Sequence, residues 1–321
     1  MKLFEPAYFF SPHDRTRVPL GSSLSLSRTR LRKIRERSIE ALLFLCALCS
    51  VLATFGIVWI LVSESLPFFR EIPLSRVLTD TQWTPLFADA HYGILPLLSG
   101  TLVTTTVALI VAVPVGTITA IYLSEYASGR VREHLKPIIE LLSAVPTVVY
   151  GYFALLFVTP MLQKLLPDLP AFNMLGAGVV MGIMIVPYVC SLSEDAMRSV
   201  PMYMREGSYA MGATKLHTAI HVVIPAALSG LTAAYILAIS RAVGETMVVA
   251  IAAGMQPNFT IDPREPAQTI TAYIVQVSLG DLPHGSIGYQ TIFVAGLSLM
   301  ILTLTFNIAG HVIRKKYREA Y

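Results

Sequence analysis

The chain has 321 residues, of which 54% are hydrophobic and only 14% are charged, and its formal net charge is +4. Average soluble domains carry about 25% charged residues, so this composition excludes an ordinary soluble domain and indicates a membrane protein. The basic residues gather at the ends of apolar segments, which argues against nucleic-acid binding, and the three cysteines lie inside apolar runs, which argues against a disulfide framework.

The first 40 residues form a mostly polar, basic tail, and six of the ten residues from 28 to 37 are arginine or lysine. We expect this cluster to lie against anionic membrane lipid and to anchor the orientation of the chain. No cleavable signal peptide is expected, because the first apolar run begins near residue 41 and is too long for a signal sequence.

Six apolar stretches follow, each close to the roughly 20 residues that a helix needs to cross a bilayer. The sequence therefore predicts an all-α membrane protein. Proline and glycine interrupt the second, third and fourth stretches, which favours a packed bundle in which neighbouring helices satisfy the freed backbone groups. The predicted spans cover residues 41–62, 94–123, 138–162, 176–192, 226–253 and 288–313.

The distribution of lysine and arginine predicts the orientation. Nineteen of the 24 basic residues fall on one side of the six spans, four fall on the other side, and Arg241 lies within the fifth span. The positive-inside rule then places both termini in the cytoplasm, including the tail of residues 314–321. Residues 63–92, 163–175 and 254–287 lie outside, and the prolines of the last segment favour extended and turn backbone over helix.

The loop between the fourth and fifth spans, residues 193–225, is predicted to be structured. A short helix over 202–211 is followed by a break at Gly212 and by a second helix over 214–224, whose apolar residues share one face. A half-apolar helix–glycine–helix element in a cytoplasmic loop suits insertion into a groove on a partner protein.

Two other features of this loop are not expected to bind ligands. Gly207 and Gly212 have the spacing of a phosphate-binding loop, but Ala213 stands where that motif needs lysine, so ATP binding by this chain is not expected. His217 and His221 are four residues apart, but no third ligand accompanies them, so neither a metal site nor a bound cofactor is expected.

The fifth span carries two charges, Arg241 and Glu245, in an otherwise uncharged stretch of 28 residues, 226–253. An arginine near the middle of a span costs roughly 2.5–3.5 kcal/mol on insertion scales, so it marks a functional site. Arg241 is predicted to line a path for an anion, and Glu245, one turn on, is predicted to neutralise it when substrate is absent. A structural ion pair between helices is the alternative role for both residues.

The loop resembles the EAA loop of ATP-binding-cassette importer permeases. The resemblance rests on Glu206, Gly212 and the run Val222-Val223-Ile224-Pro225, while Gly207 and Ser208 replace the two alanines of that pattern. It implies a type I (MetI-like) permease core over residues 93–313, with residues 202–225 as the coupling loop. Glu206, Gly212 and Pro225 would then lie where the loop docks on an ATPase subunit.

Further motifs are found at Ser124–Ala127, Leu135–Pro137, Glu140–Gly151 and Arg241–Met247. They resemble motifs of the phosphate importer permeases, and the runs at 246–249 and 253–258 resemble the C-type more than the A-type subunit. The resemblance implies a bacterial inner-membrane permease for inorganic phosphate that is not itself an enzyme. The implied partners are an A-type permease, two ATP-binding subunits that carry ATP and magnesium, and a periplasmic phosphate-binding protein.

Three other functions remain open. The first is an importer permease for another oxyanion, such as sulfate or molybdate. The second is an ion-coupled secondary carrier, although such carriers often show inverted repeats and several midplane acids, and the chain shows no clear repeat and one such acid. The third is a membrane sensor or scaffold, in which uptake would survive loss of Arg241.

Overall fold

The computed structural model describes residues 22–280, 282–283 and 285–316. Over these ranges the backbone is helical or irregular and contains no β-strand, and Trp83 and Tyr92 form one isolated antiparallel bridge. The chain divides after Ile57 into two compact units. The predicted all-α class is confirmed for the described residues.

Helix α1 runs from Ser22 to Glu71 and is 50 residues long. It begins well before the predicted span of 41–62 and continues beyond it, because no proline occurs in it before Pro67. Residues 22–40 of the predicted tail are therefore helical, while residues 1–21 lie outside the described part. Large apolar side chains such as Leu43, Phe44 and Phe55 are exposed on α1, as lipid contact requires.

Helices α3 (Leu95–Ile121) and α7 (Met174–Arg198) form the centre of the second unit and correspond to the predicted second and fourth spans. A π-helical turn, Tyr122–Tyr126, extends α3. The two helices approach closely at Gly182, where an added Cβ would lie 2.7 Å from the carbonyl oxygen of Ala108. Small residues permit such close packing of membrane helices.

The predicted third span is a bent pair of helices. Helix α4 (Gly129–Leu141) and a 3₁₀ turn meet α5 (Thr147–Phe153) at an angle of 86°. Pro146 lies at the bend, and because a proline disfavours helical backbone at the residue before it, Val145 is extended. A second π-helical turn, Ala154–Val158, then joins α5 to α6, Thr159–Gln163.

The predicted fifth span is also broken, and here the expectation of one helix over 226–253 is wrong. Helices α9 (Lys215–Thr218) and α10 (Ile224–Ala226), with a π-helical turn between them, meet the next helix at 75°. That helix, α11, covers Leu228–Val243, and α12 covers only Met247–Ala252. Gly244 ends α11, and glycine is a weak helix former.

The segments predicted to lie outside carry two short helices, α2 (Leu74–Thr79) and α13 (Ile270–Ser278). The expectation of extended backbone over 254–287 is wrong for α13. This helix can form because no proline lies between Pro266 and Pro283 and because Thr269 caps it. Tyr273 of α13 packs edge-on against buried Trp83, with ring centroids 5.0 Å apart. Helix α8 covers Met202–Ala210, and α14 (Ile287–Lys316) forms the sixth predicted span.

Four described helices are long and apolar enough to cross a membrane, and the number rises to six when each bent pair counts as one span. The six-span prediction therefore agrees with the upper count. The orientation of the termini stays a prediction.

Candidate functional site

The fifth predicted span is interrupted at its two charged residues. Helix α11 ends at Val243, two residues after Arg241, and Glu245 lies in the short non-helical link before α12. Gly244 is exposed, whereas Glu245 is buried. Because non-helical backbone at membrane depth is tolerated only inside protein or along a water-filled cavity, this link is a candidate lining for a polar path.

Arg241 lies in the last turn of α11 and contacts α7. Its guanidinium carbon is 4.7 Å from the centroid of the Tyr188 ring. The Nε atom is buried and has no hydrogen-bond partner. A cation over an aromatic face gains about 0.5–2 kcal/mol, and this contact leaves the N–H donors unused. The guanidinium therefore keeps donors that a planar or tetrahedral oxyanion can accept.

Glu245 is held through its backbone. Its N–H donates to the carbonyl oxygen of Ala242 at 3.2 Å, and its carbonyl oxygen accepts from the hydroxyl of Thr271 at 2.7 Å. The expected arrangement of Arg241 and Glu245 as an i, i+4 pair on one continuous helix is wrong, because the helix ends between them. The ion pairs of the described residues do not include one between Arg241 and Glu245.

The predicted helix–glycine–helix loop is confirmed. Helix α8 ends at Ala210, Gly212 adopts φ +84°, and Thr214 caps α9 by accepting from the N–H of His217. The hydroxyls of Ser208 and Thr218 lie 2.8 Å apart and join the two arms of this hairpin. Only glycine adopts such a left-handed conformation without strain, so the residue type at 212 follows from the turn.

The coupling residues inferred from the resemblance lie on the surface of this hairpin. Glu206, Gly212 and Pro225 are all exposed, and a shallow cavity of about 670 Å³ opens between the two arms. Several large apolar side chains are also exposed here, as expected for a surface that a partner covers. They are Met202, Tyr203, Met211, Leu216 and Ile220.

A buried ion pair that the sequence did not predict anchors the hairpin. The Arg205 guanidinium donates to both carboxylate oxygens of Glu125, at 3.2 and 2.9 Å, and to the carbonyl oxygens of Val200 and Met197. Glu125 lies in the π-helical turn after α3, so the pair fixes α8 to the end of that helix. Glu125 stands in one of the quoted motifs and Arg205 directly precedes Glu206, but nothing in their spacing signalled the contact.

A second ionic cluster joins α4 to α7. The Lys136 ammonium lies 2.6 Å from the Glu194 carboxylate and 2.8 Å from that of Asp195. Glu194 is 1% exposed, so its charge is compensated mainly by this lysine. Glu140, one turn along α4, accepts a hydrogen bond from Ser191 at 3.0 Å. These contacts group residues 125–140 and 191–215 at one end of the unit.

Sequence comparisons support a permease. Residues 112–319 match the family described as binding-protein-dependent transport system inner membrane component. The probable ABC transporter permease protein YqgH of Bacillus subtilis is 32% identical over 92% of this chain and 95% of its own length. The phosphate transport system permease protein PstC 1 of Mycobacterium bovis is 32% identical over 76% of this chain and 78% of its own length.

The fold is similar to that of solved importers. An inward-facing structure of the MetNI methionine ABC transporter superposes with a TM-score of 0.52 over 71% of this chain and 95% of that one, at 20% identity. This likeness shows a MetI-like arrangement of helices and nothing about substrate. Taken with the sequence matches, it establishes that the chain belongs to the family of inner membrane components of binding-protein-dependent transport systems.

Proposed function

We propose that this chain is the permease subunit through which an ATP-driven importer moves inorganic phosphate across the cytoplasmic membrane of a bacterial cell. The relatives named as phosphate permeases support the choice of substrate. The motifs around residues 124–151 and 241–247 support the same choice. Sulfate or molybdate is the alternative cargo, because these oxyanions present similar oxygens to a guanidinium.

The observation that carries this proposal is the free guanidinium of Arg241 beside a helix break. Moving a hydrated phosphate across a bilayer requires groups that replace its water. Arg241 offers charge-assisted donors, and Tyr188 holds its plane without using them. Glu245 lies four residues further along the chain, and in this proposal it neutralises Arg241 when no phosphate is bound.

Energy would reach this site from partner subunits. The proposed assembly contains this chain, a homologous A-type permease, two ATP-binding subunits that hydrolyse ATP with magnesium, and a periplasmic phosphate-binding protein. The family itself is described as binding-protein-dependent. Glu206, Gly212 and Pro225 would contact the ATP-binding subunit, and α9 and α10 lead from that contact to α11, which carries Arg241.

Replacing Arg241 with glutamine tests this function. Because glutamine keeps polarity but removes the charge and the planar set of donors, we expect uptake of radiolabelled phosphate to fall at least 100-fold while the complex still assembles. Arg241→Lys should restore only part of the rate, since an ammonium lacks the bidentate geometry.

The matched control is Arg130→Gln, which removes an exposed arginine from α4 and should leave uptake unchanged. Normal uptake in a well-expressed Arg241→Gln complex would refute the role of Arg241. If sulfate competed as strongly as unlabelled phosphate, the alternative cargo, another oxyanion, would replace phosphate in this proposal.

A further inference from the structure

A separate cavity of about 580 Å³ lies between α8 and the ends of α3, α4 and α7. It is distinct from the shallow cavity at the tip of the hairpin, with which it shares no lining residue. Its charged lining residues come from five elements of the fold. They are Glu125, Arg132, Arg198, Arg205 and Lys215.

The charge inside this cavity is positive. Its one lining carboxylate, that of Glu125, already accepts two hydrogen bonds from Arg205 and one from the hydroxyl of Ser124 at 2.8 Å. Arg198 lies 3.6 Å from Glu194, but that carboxylate is bound more closely by Lys136 at 2.6 Å.

Two further cations have no acidic partner. Within the described part of the chain, no carboxylate lies within 4.0 Å of Arg132 or of Lys215, and the Lys215 ammonium lies 5.9 Å from the centroid of the Tyr126 ring. Arg132 and Lys215 therefore border the cavity without an acidic partner, and Arg198 shares its carboxylate partner, Glu194, with Lys136. Cations that line one cavity repel one another, so an anion between them would be stabilising.

We propose that this cavity binds a phosphate-type anion through Arg132, Arg198 and Lys215. Two guanidinium groups and an ammonium match the oxygens of a phosphate group, and Tyr209 adds a hydroxyl to the lining. Free inorganic phosphate and the headgroup of an anionic phospholipid share this chemistry. In either case the ligand lies away from Arg241, on the side of the coupling hairpin.

Occupation would tie the hairpin to the bundle. Arg132 belongs to α4, Arg198 to α7 and Lys215 to α9, so one bound anion links the second arm of the hairpin to both helices. A bound anion therefore restrains the hairpin, which is the element that would have to move when the proposed ATP-binding subunits close. This consequence for transport rests on the proposed function, whereas anion binding itself does not.

Binding is tested on the full chain in maltoside micelles, which contain no phosphate, with thermal unfolding as the readout. One arm titrates inorganic phosphate at constant ionic strength against chloride, and the other adds phosphatidylglycerol. All proteins carry Arg241→Gln, so that the proposed transport site does not contribute to the response. The variant pair Arg132→Gln with Lys215→Gln is compared with Arg130→Gln, an exposed arginine of α4 that does not line the cavity.

We expect stabilisation in at least one arm, and a midpoint concentration at least tenfold higher in the double variant than in the control, which corresponds to about 1.4 kcal/mol. A response confined to the phosphate arm identifies a free anion, and one confined to the lipid arm identifies a headgroup. Equal responses of the double variant and the control, or no response in either arm, would overturn the proposal. None of these outcomes depends on whether the chain transports phosphate.

Discussion

Arg205 and Glu125 illustrate how a single buried ion pair fixes an element in place. Their side chains are 10% and 3% exposed, and the guanidinium is fully engaged by the carboxylate and by two backbone carbonyls. A buried pair contributes little net stability compared with apolar residues of the same shape. Removing one partner is different, because the other charge is then left buried without compensation.

The Arg205→Met variant should therefore be destabilised by about 3–5 kcal/mol, measured as the loss of free energy of unfolding in micelles. Replacing both residues, as Arg205→Met with Glu125→Leu, should recover much of that loss because no charge remains buried. A double variant that is no more stable than Arg205→Met would contradict this account. Exposed Arg130→Met serves as the control for the change of residue type.

A second residue-scale contact lies in the segment between α1 and α3. The Asp80 carboxylate is 2.9 Å from Nδ1 of His91 and accepts from the N–H of Gln82 at 2.9 Å. Burial raises the pKa of Asp80, but the hydrogen bonds from His91 and Gln82 outweigh it, and the net pKa lies below its ordinary value. Because folding lowers the pKa of Asp80, its charged carboxylate stabilises the fold at any pH above the pKa that Asp80 has in the unfolded chain. This stabilisation is lost as the pH falls through the lowered pKa of the folded protein.

We expect the Asp80→Asn variant to unfold at a lower temperature than the unchanged protein at pH 7. The difference should shrink as the pH falls from the ordinary aspartate pKa of about 3.9 through the lowered pKa of folded Asp80, since the protonated side chain, like asparagine, carries no charge. The difference in unfolding temperature between the two proteins is measured by thermal unfolding at a series of pH values from 7 to 3. Asp89→Asn is the control, because that side chain is 98% exposed, and an equal effect there would argue against a specific role for Asp80.

At the scale of elements, the sequence predicted long helices well and breaks poorly. The second, fourth and sixth spans match α3, α7 and α14 because their apolar runs are long enough to determine a helix by themselves. The break at Gly244 was missed, because the apolar run resumes in α12 after the three residues Gly244, Glu245 and Thr246 and the whole stretch was taken as one span. Tertiary contacts such as Thr271 to Glu245 decide the backbone instead.

The candidate site shows the same division. The turn at Gly212 could be predicted, since a helix-breaking glycine is a local signal, while the roles of Arg241 and Glu206 stay predictions. The contacts of Arg241 with Tyr188 and of Arg205 with Glu125 could not, because each joins residues more than 50 positions apart. Pairing between distant segments leaves no periodicity in a single sequence.

The turn of the hairpin offers a matched comparison of two glycines. An added Cβ would meet nothing within 4 Å at Gly207 or at Gly212, but only Gly212 has a positive φ, of +84°. Gly212→Ala should therefore strain the turn by about 1–2 kcal/mol. Gly207→Ala should strengthen α8 by about 0.5–1 kcal/mol, because alanine is the better helix former.

We expect Gly212→Ala to reduce the amount of ATP-binding subunit that co-purifies with the complex and to weaken the coupling of ATP hydrolysis to uptake. Gly207→Ala should leave both at the level of the unchanged protein. If the two variants behaved alike in co-purification and in coupled hydrolysis, the backbone conformation at Gly212 would not be what the partner requires.

For the second unit, ionic and aromatic contacts sort the loops into two groups. Glu125 with Arg205, and Lys136 with Glu194, join loops that the count of basic residues assigns to the cytoplasm. Trp83 with Tyr273 joins segments assigned to the outside. No contact was used in that count, so the contacts independently support this grouping of the loops, whereas the side of the membrane on which each group lies stays a prediction.

That topology can be measured by labelling single cysteines in intact cells with a membrane-impermeant maleimide. The three native cysteines are first replaced by serine, and cysteine is then placed at Asp89 or at Met211, both highly exposed. With 19 basic residues on one side and four on the other, we expect labelling of position 89 in intact cells and of position 211 only after permeabilisation. Labelling of position 211 in intact cells would show the opposite orientation. An ATP-binding subunit in the cytoplasm could then not reach the hairpin.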